Sequence, residues 1–65
     1  MTNLLASAPS LETLAESITR FYAGEAKTIV PDGDNKWRVA FPDGTPLLGV
    51  HIVKRGKRYR FEMVL

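Results

Sequence analysis

The chain has 65 residues, no cysteine and a formal net charge of +2. This size allows one domain near the lower limit for independent folding, and without cysteine neither disulfides nor thiolate metal sites can strengthen its core. The 45% of hydrophobic residues argues against disorder, and we find no secretory signal and no apolar run of about 18 residues that would span a membrane. We therefore expect a soluble, cytoplasmic protein.

Charge is distributed unevenly along the chain. Residues 1–35 contain two basic and five acidic side chains, whereas residues 36–65 contain seven basic and two acidic ones. Such asymmetry indicates a polyanionic partner. The alternative interpretation is an ordinary solvated surface with ends of opposite charge.

The clearest helical periodicity lies in residues 10–23. We expect residues 1–8 to be a flexible N-terminal segment and residues 9–65 to form one domain. Ser10 is suited to cap the start of the helix, and Gly24 is suited to the left-handed residue that commonly ends one. The apolar side chains of one helical stripe recur every three or four residues: Leu11, Leu14, Ala15, Ile18, Phe21 and Tyr22.

After the helix the apolar period changes from about 3.6 to about 2, which predicts β-strands. Apolar and polar residues alternate over residues 36–41, 48–53 and 58–65, and a further strand is expected near residues 26–30. The Pro-Asp-Gly sequences at 31–33 and 42–44 predict turns between these strands. If Arg55-Gly56 is a two-residue turn, the last two strands align three apolar pairs on one face: Ile52 with Tyr59, Val50 with Phe61, and Leu48 with Met63.

These elements predict an α+β fold in two layers. One N-terminal helix packs on one face of a three- or four-stranded antiparallel meander, because that face is the natural place for the helix to bury its apolar stripe. The periodicity directs all six phenylalanine, tyrosine and tryptophan side chains into the layer between helix and sheet. The other sheet face is expected to be open and basic.

The open face and its last hairpin carry the candidate binding residues. They are side chains that could follow a phosphate backbone or accept another anion: Lys36, Arg38, His51, Lys54, Arg55, Lys57, Arg58 and Arg60. Glu62 is the one clear anion of this face. Because no aromatic ring is predicted there, contact with a duplex backbone or groove is favoured over base stacking on single strands.

No catalytic or metal-binding set is evident. His51 is the only histidine, and the sequence shows no orienting partner or nucleophile beside it. Residues 32–35 resemble the start of a calcium loop, but Asp43 stands where the loop needs a glutamate, so a simple turn is favoured. We therefore expect a non-enzymatic protein that holds no metal and no cofactor.

Two functions remain open. The first is a small nucleic-acid-binding module that contacts the phosphates of duplex DNA or RNA through its basic face and hairpin. The second is an inhibitor or adaptor that docks the same face on an acidic protein surface. The small core also suggests a homodimer formed through Leu4–Leu5, an uncovered sheet edge, or Val53 and Val64.

Overall fold

The computed structural model describes residues 2–65, which form one antiparallel sheet with a helix packed against it. The elements, in chain order, are β1 (Thr2–Ala8), α1 (Leu11–Phe21), β2 (Thr28–Pro31), β3 (Lys36–Ala40), β4 (Val50–Arg55) and β5 (Arg58–Val64). The strand order across the sheet is β1-β5-β4-β3-β2. The α+β class is confirmed, but the sheet has five strands rather than three or four.

The helix begins and ends at the signals that its sequence contains. Ser10 Oγ accepts a hydrogen bond from the Thr13 amide at 3.1 Å and so caps the N-terminus. Chain reversal after the helix uses two left-handed residues, Ala23 and Gly24. The buried stripe consists of Leu14 and Ile18, both at most 1% exposed, and it packs mainly over β1 and β5.

The fifth strand is β1, and it corrects the prediction that residues 1–8 are a flexible segment. Residues 2–8 pair antiparallel with residues 59–64 of β5, while Met1 lies outside the described residues. A β-bulge between Leu4 and Ala6 interrupts the register. Because the extra residue reverses which face the next side chains occupy, Leu4 lies opposite Glu62 while Ala6 lies opposite Phe61. This reversal hides the alternation that would have identified the strand.

The β4–β5 register also differs from the prediction. The two-residue turn is Gly56-Lys57, so that Ile52 pairs with Phe61 and Val50 pairs with Met63. Gly56 has a φ of +62° and occupies the first central position, the arrangement of a type II′ turn. The predicted Arg55-Gly56 turn would have placed arginine in that left-handed position. Since the shift is an even number of residues, every side chain keeps its predicted face.

The ladder between β3 and β4 is short. Only Lys36 with Val53 and Trp37 with Ile52 are paired, which keeps Trp37 on the predicted apolar face. Beyond them the chain leaves β3 for a loop, in which the Leu47 amide donates to the Val39 carbonyl at 2.9 Å. Leu47 is buried there, whereas Leu48 is 85% exposed, so the prediction that Leu48 faces Met63 is wrong.

Two aromatic side chains depart from the predicted core. Phe21 and Phe41 are 50% and 42% exposed, because Phe21 is the last residue of α1 and Phe41 follows the end of β3. Near Phe41 the Lys27 side chain is almost wholly covered. Its Nζ lies 4.9 Å from the Tyr22 ring centroid and 5.4 Å from that of Phe41, so a cation closes the layer between helix and sheet at this end.

Candidate nucleic-acid interface

The sheet face that points away from α1, called the outer face here, carries most of the predicted binding residues. Alternation places Arg55, Arg58 and Arg60 on it together with Lys36, Arg38 and His51. A row of neighbours runs from Lys36 through Val53 to Arg60 and Ser7 across four strands. Val53 in the middle of that row is only 8% exposed. Long basic side chains shield aliphatic ones in this way, since their stems are apolar.

Glu62 is the centre of the outer face and is buried there, with 2% of its surface exposed. His51 Nε2 lies 2.9 Å from Glu62 Oε1, and Arg60 Nε donates to Glu62 Oε2 at 2.8 Å. Both carboxylate oxygens therefore have a partner, as a buried charge requires. The sequence identified Glu62 as the one anion of this face, but no residue pattern showed that two neighbours would cover it.

The protonation of Glu62 reflects this environment. Burial by itself raises the pKa of the carboxyl group. The hydrogen bonds from His51 and Arg60, together with the positive charge of Arg60, outweigh burial and lower the pKa of Glu62 below its ordinary value of 4.5. Glu62 is therefore a carboxylate at neutral pH, and it offsets one of the positive charges of the outer face.

The hairpin tip, defined as Lys54, Arg55, Lys57 and Arg58 around Gly56, is the most concentrated basic region. All four cations are exposed, and within residues 2–65 none of them lies within 4.0 Å of a carboxylate. Arg55 and Arg58 are paired directly opposite each other. Arg58 Nε donates to Ser7 Oγ at 2.8 Å, and Lys54 Nζ lies 5.6 Å from the Tyr59 ring centroid on the other face.

A cleft opens on the outer face where the β3–β4 ladder ends. It has a volume of about 260 Å³, and its lining includes Asp32, Lys36, Arg38 and His51. Arg38 Nε lies 3.8 Å from Asp32 Oδ2, which is close enough for an ion pair but too long for a hydrogen bond. The predicted site residues thus form three groups: the hairpin tip, the Glu62 network with Arg60 and His51, and the cleft with Lys36 and Arg38.

Residues 2–65 contain no group of three or more histidine, aspartate or glutamate side chains arranged to hold a metal ion. No helix among them is long and apolar enough to cross a membrane. His51 does have an orienting partner in Glu62, which the sequence did not reveal because the two residues are eleven positions apart and meet only through strand pairing.

Comparison with known proteins identifies no relative. No protein-family model matches the chain, and neither a curated protein nor a solved structure has significant similarity to it.

Proposed function

We propose that this protein is a small, non-enzymatic nucleic-acid-binding module whose hairpin tip and outer face contact the phosphate backbone of a duplex. The observation that carries the proposal is the pairing of Arg55 with Arg58 at the end of the β4–β5 hairpin. Like charges placed directly opposite each other on a sheet are destabilising. Two further cations flank this pair, and a polyanion is the partner that would offset their repulsion.

The shape of the tip favours phosphate contacts over the reading of base edges. A two-stranded ribbon can enter the major groove only where it projects beyond its sheet. Here β3 pairs as far as Val53, and the Asn35 carbonyl accepts a hydrogen bond from the Lys54 amide at 3.0 Å. Only residues 55–58 extend beyond these neighbours. From this short projection an arginine can donate two hydrogen bonds to the oxygens of one phosphate, and a lysine adds electrostatic attraction.

The outer face also lacks what single-strand recognition needs. Among residues 2–65 no phenylalanine, tyrosine or tryptophan side chain lies on it, because Trp37, Tyr59 and Phe61 all pack toward the helix. The half-exposed ring of Phe21 packs against Phe61, and that of Phe41 lies beside Lys27 at the end of the layer between helix and sheet. Stacking platforms for unpaired bases require aromatic rings beside the cations. A duplex held through its backbone is therefore the form of nucleic acid that this surface fits.

The test is a duplex-binding titration at several salt concentrations. On duplex DNA each phosphate contact contributes about 0.9 to the slope of log K against log salt. Arg55→Ala should therefore lower the slope by about 0.9, and replacing Arg55, Lys57 and Arg58 together by about 2.7. Arg20→Ala is the matched control, since Arg20 is an exposed arginine on α1 with no carboxylate partner among residues 2–65. Absence of duplex binding at low salt, or equal slopes for Arg55→Ala and Arg20→Ala, contradicts the proposal.

One observation favours the alternative of an acidic protein partner. Leu4 and Val64 share the outer face with the cations and are 50% and 44% exposed. Apolar side chains among cations suit a protein interface better than a phosphate backbone. Recovery of one stoichiometric protein after nuclease treatment, with its capture reduced by Leu4→Lys, would support this alternative. Loss of all captured material on nuclease treatment would exclude it.

A further inference from the structure

The cleft on the outer face exists because two strands separate. The β3–β4 ladder contains Lys36–Val53 and Trp37–Ile52 and then stops, so that Arg38 and His51 are adjacent without being paired. The β4 chain instead continues its ladder with β5, and the Val64 amide donates to the Gly49 carbonyl at 2.8 Å. The resulting opening is a local depression of about 260 Å³ in an otherwise continuous sheet face.

Hydrogen-bond donors in the cleft exceed the acceptors. Lys36 offers three donors and the Arg38 guanidinium offers five, yet the hydrogen bonds of residues 2–65 engage neither side chain. The carboxylate of Glu62, next to the cleft, is already occupied by His51 and Arg60. Asp32 is the only acidic residue in the lining, and it is half-exposed and in ion-pair contact with Arg38 alone.

His51 is held in position at the wall of this cleft. The hydrogen bond from its Nε2 to Glu62 fixes the orientation of the ring. Because Glu62 is buried and Arg60 holds the other oxygen, the imidazole cannot rotate without breaking the network. The side chain lines the cleft beside Lys36 and Arg38. Because Nε2–H donates to Glu62, the second ring nitrogen is an acceptor in the neutral imidazole and donates to a phosphate oxygen only in the imidazolium form.

We propose that the cleft is a discrete binding site for one phosphate group, held by Lys36 and Arg38 with His51 as a third contact. A tetrahedral phosphate presents several acceptor oxygens, which complement a donor-rich site, and arginine binds such oxygens in a bidentate fork. This inference rests on the proposed function, because it names the place on the basic face where a phosphate is seated rather than loosely attracted. The group belongs either to a nucleic-acid strand or to a small phosphorylated molecule.

The experiment follows backbone amide signals by NMR while inorganic phosphate is added, with sodium chloride at matched ionic strength as the reference. We expect saturable shifts at Gly49, Val50 and His51 that chloride does not cause. The double variant Lys36→Ala/Arg38→Ala should weaken phosphate binding at least tenfold. Arg55→Ala/Lys57→Ala removes the same number of charges from the hairpin tip and should leave the phosphate-induced shifts at Gly49, Val50 and His51 unchanged. Shifts that do not saturate, or that persist in Lys36→Ala/Arg38→Ala, overturn the site.

A second arm identifies the source of the phosphate and separates this inference from the proposed function. A short duplex that shifts the same cleft amides shows that a backbone phosphate occupies the site. A duplex that shifts only residues 54–58, while inorganic phosphate still shifts the cleft, assigns the site to a small phosphorylated ligand. If phosphate binds in the cleft but no duplex binds at low salt, the proposed function fails and the site stands. If the duplex binds through the tip and phosphate leaves the cleft unchanged, the site fails and the function stands.

Discussion

Replacing Glu62 by glutamine is the most direct test of how the outer face is held together. The substitution keeps the shape of the side chain and removes its charge. Glutamine can still accept a hydrogen bond from Arg60, and its amide group can donate to the unprotonated Nε2 of His51 once that ring adopts its other tautomer. No buried polar atom is then left without a partner, so the expected loss of stability reflects the charge alone.

The magnitude follows from the two hydrogen bonds. Those that involve a charged group contribute about 1.5–3 kcal/mol and neutral ones about 0.5–1.5 kcal/mol, and the partial exposure of Arg60 reduces its share. We expect Glu62→Gln to lower the free energy of unfolding by about 1–2 kcal/mol at pH 7. In a domain of this size that corresponds to a fall in Tm of about 5–15 °C.

Urea unfolding followed by the fluorescence of Trp37, the only tryptophan, measures this change. Glu16→Gln is the control, because Glu16 is exposed on α1 and its substitution should change stability by less than about 0.5 kcal/mol. The pKa of Glu62 is lowered in the folded state. The stability that Glu62 supplies is therefore fully present above its ordinary pKa of 4.5 and is lost as the pH falls through its lower folded value. Wild type and Glu62→Gln should converge at acid pH. Equal stability of the two at pH 7 would refute the reasoning.

Three further outcomes are expected. Gly56→Ala should lower the free energy of unfolding in urea by about 1–2 kcal/mol. A Cβ at this position would meet no atom within 4 Å, so the loss comes from the φ of +62°, which is strained for alanine. An unchanged unfolding midpoint would contradict the turn geometry. Lys27→Met should lower the free energy of unfolding by about 1 kcal/mol, because it removes the cation between the Tyr22 and Phe41 rings. Lys27→Arg should retain most of the stability. If Lys27→Met is more stable than the wild type, the cation contributes nothing. Sedimentation at two protein concentrations tests the homodimer. Leu4→Lys should reduce self-association through β1, whereas Leu48→Lys on the exposed loop should not. Equal sedimentation masses for the two variants would exclude the β1 edge as the dimer contact.

Fewer of the surfaces that the sequence suggested for a homodimer are exposed in the structure. Val53 is buried beneath its basic neighbours, and Leu5 packs against the core. Leu4, Val64 and the free edge of β1 remain exposed to a second copy. Residues 2–8 include no charged side chain and no proline, so the bulge between Leu4 and Ala6 is the edge-protecting feature that this strand has. The other edge strand, β2, is four residues long and ends in Pro31.

Local periodicity alone determined a large part of this fold. The 3.6-residue stripe and the cap at Ser10 define α1, since both depend only on neighbours along the chain. The alternation of residues 36–40, 50–55 and 58–64 assigns each side chain to the inner or outer face, and that assignment survives an even shift in register. For this reason the basic character of the outer face was predictable even though the turn was misplaced.

Other features depended on contacts between distant parts of the chain. The strand at residues 2–8 is stabilised by β5, more than fifty positions away, and its bulge breaks the period by which a strand is recognised. The burial of Glu62 requires His51 from the neighbouring strand, and the cleft requires β3 and β4 to separate after two pairs. The sequence by itself therefore determined which side chains of β3, β4 and β5 face outward. Only the tertiary structure decided that one of them is a buried carboxylate, that Arg60 and His51 are held by it, and that Lys36 and Arg38 line a cleft. These outcomes depend on which strands meet and where their pairing ends.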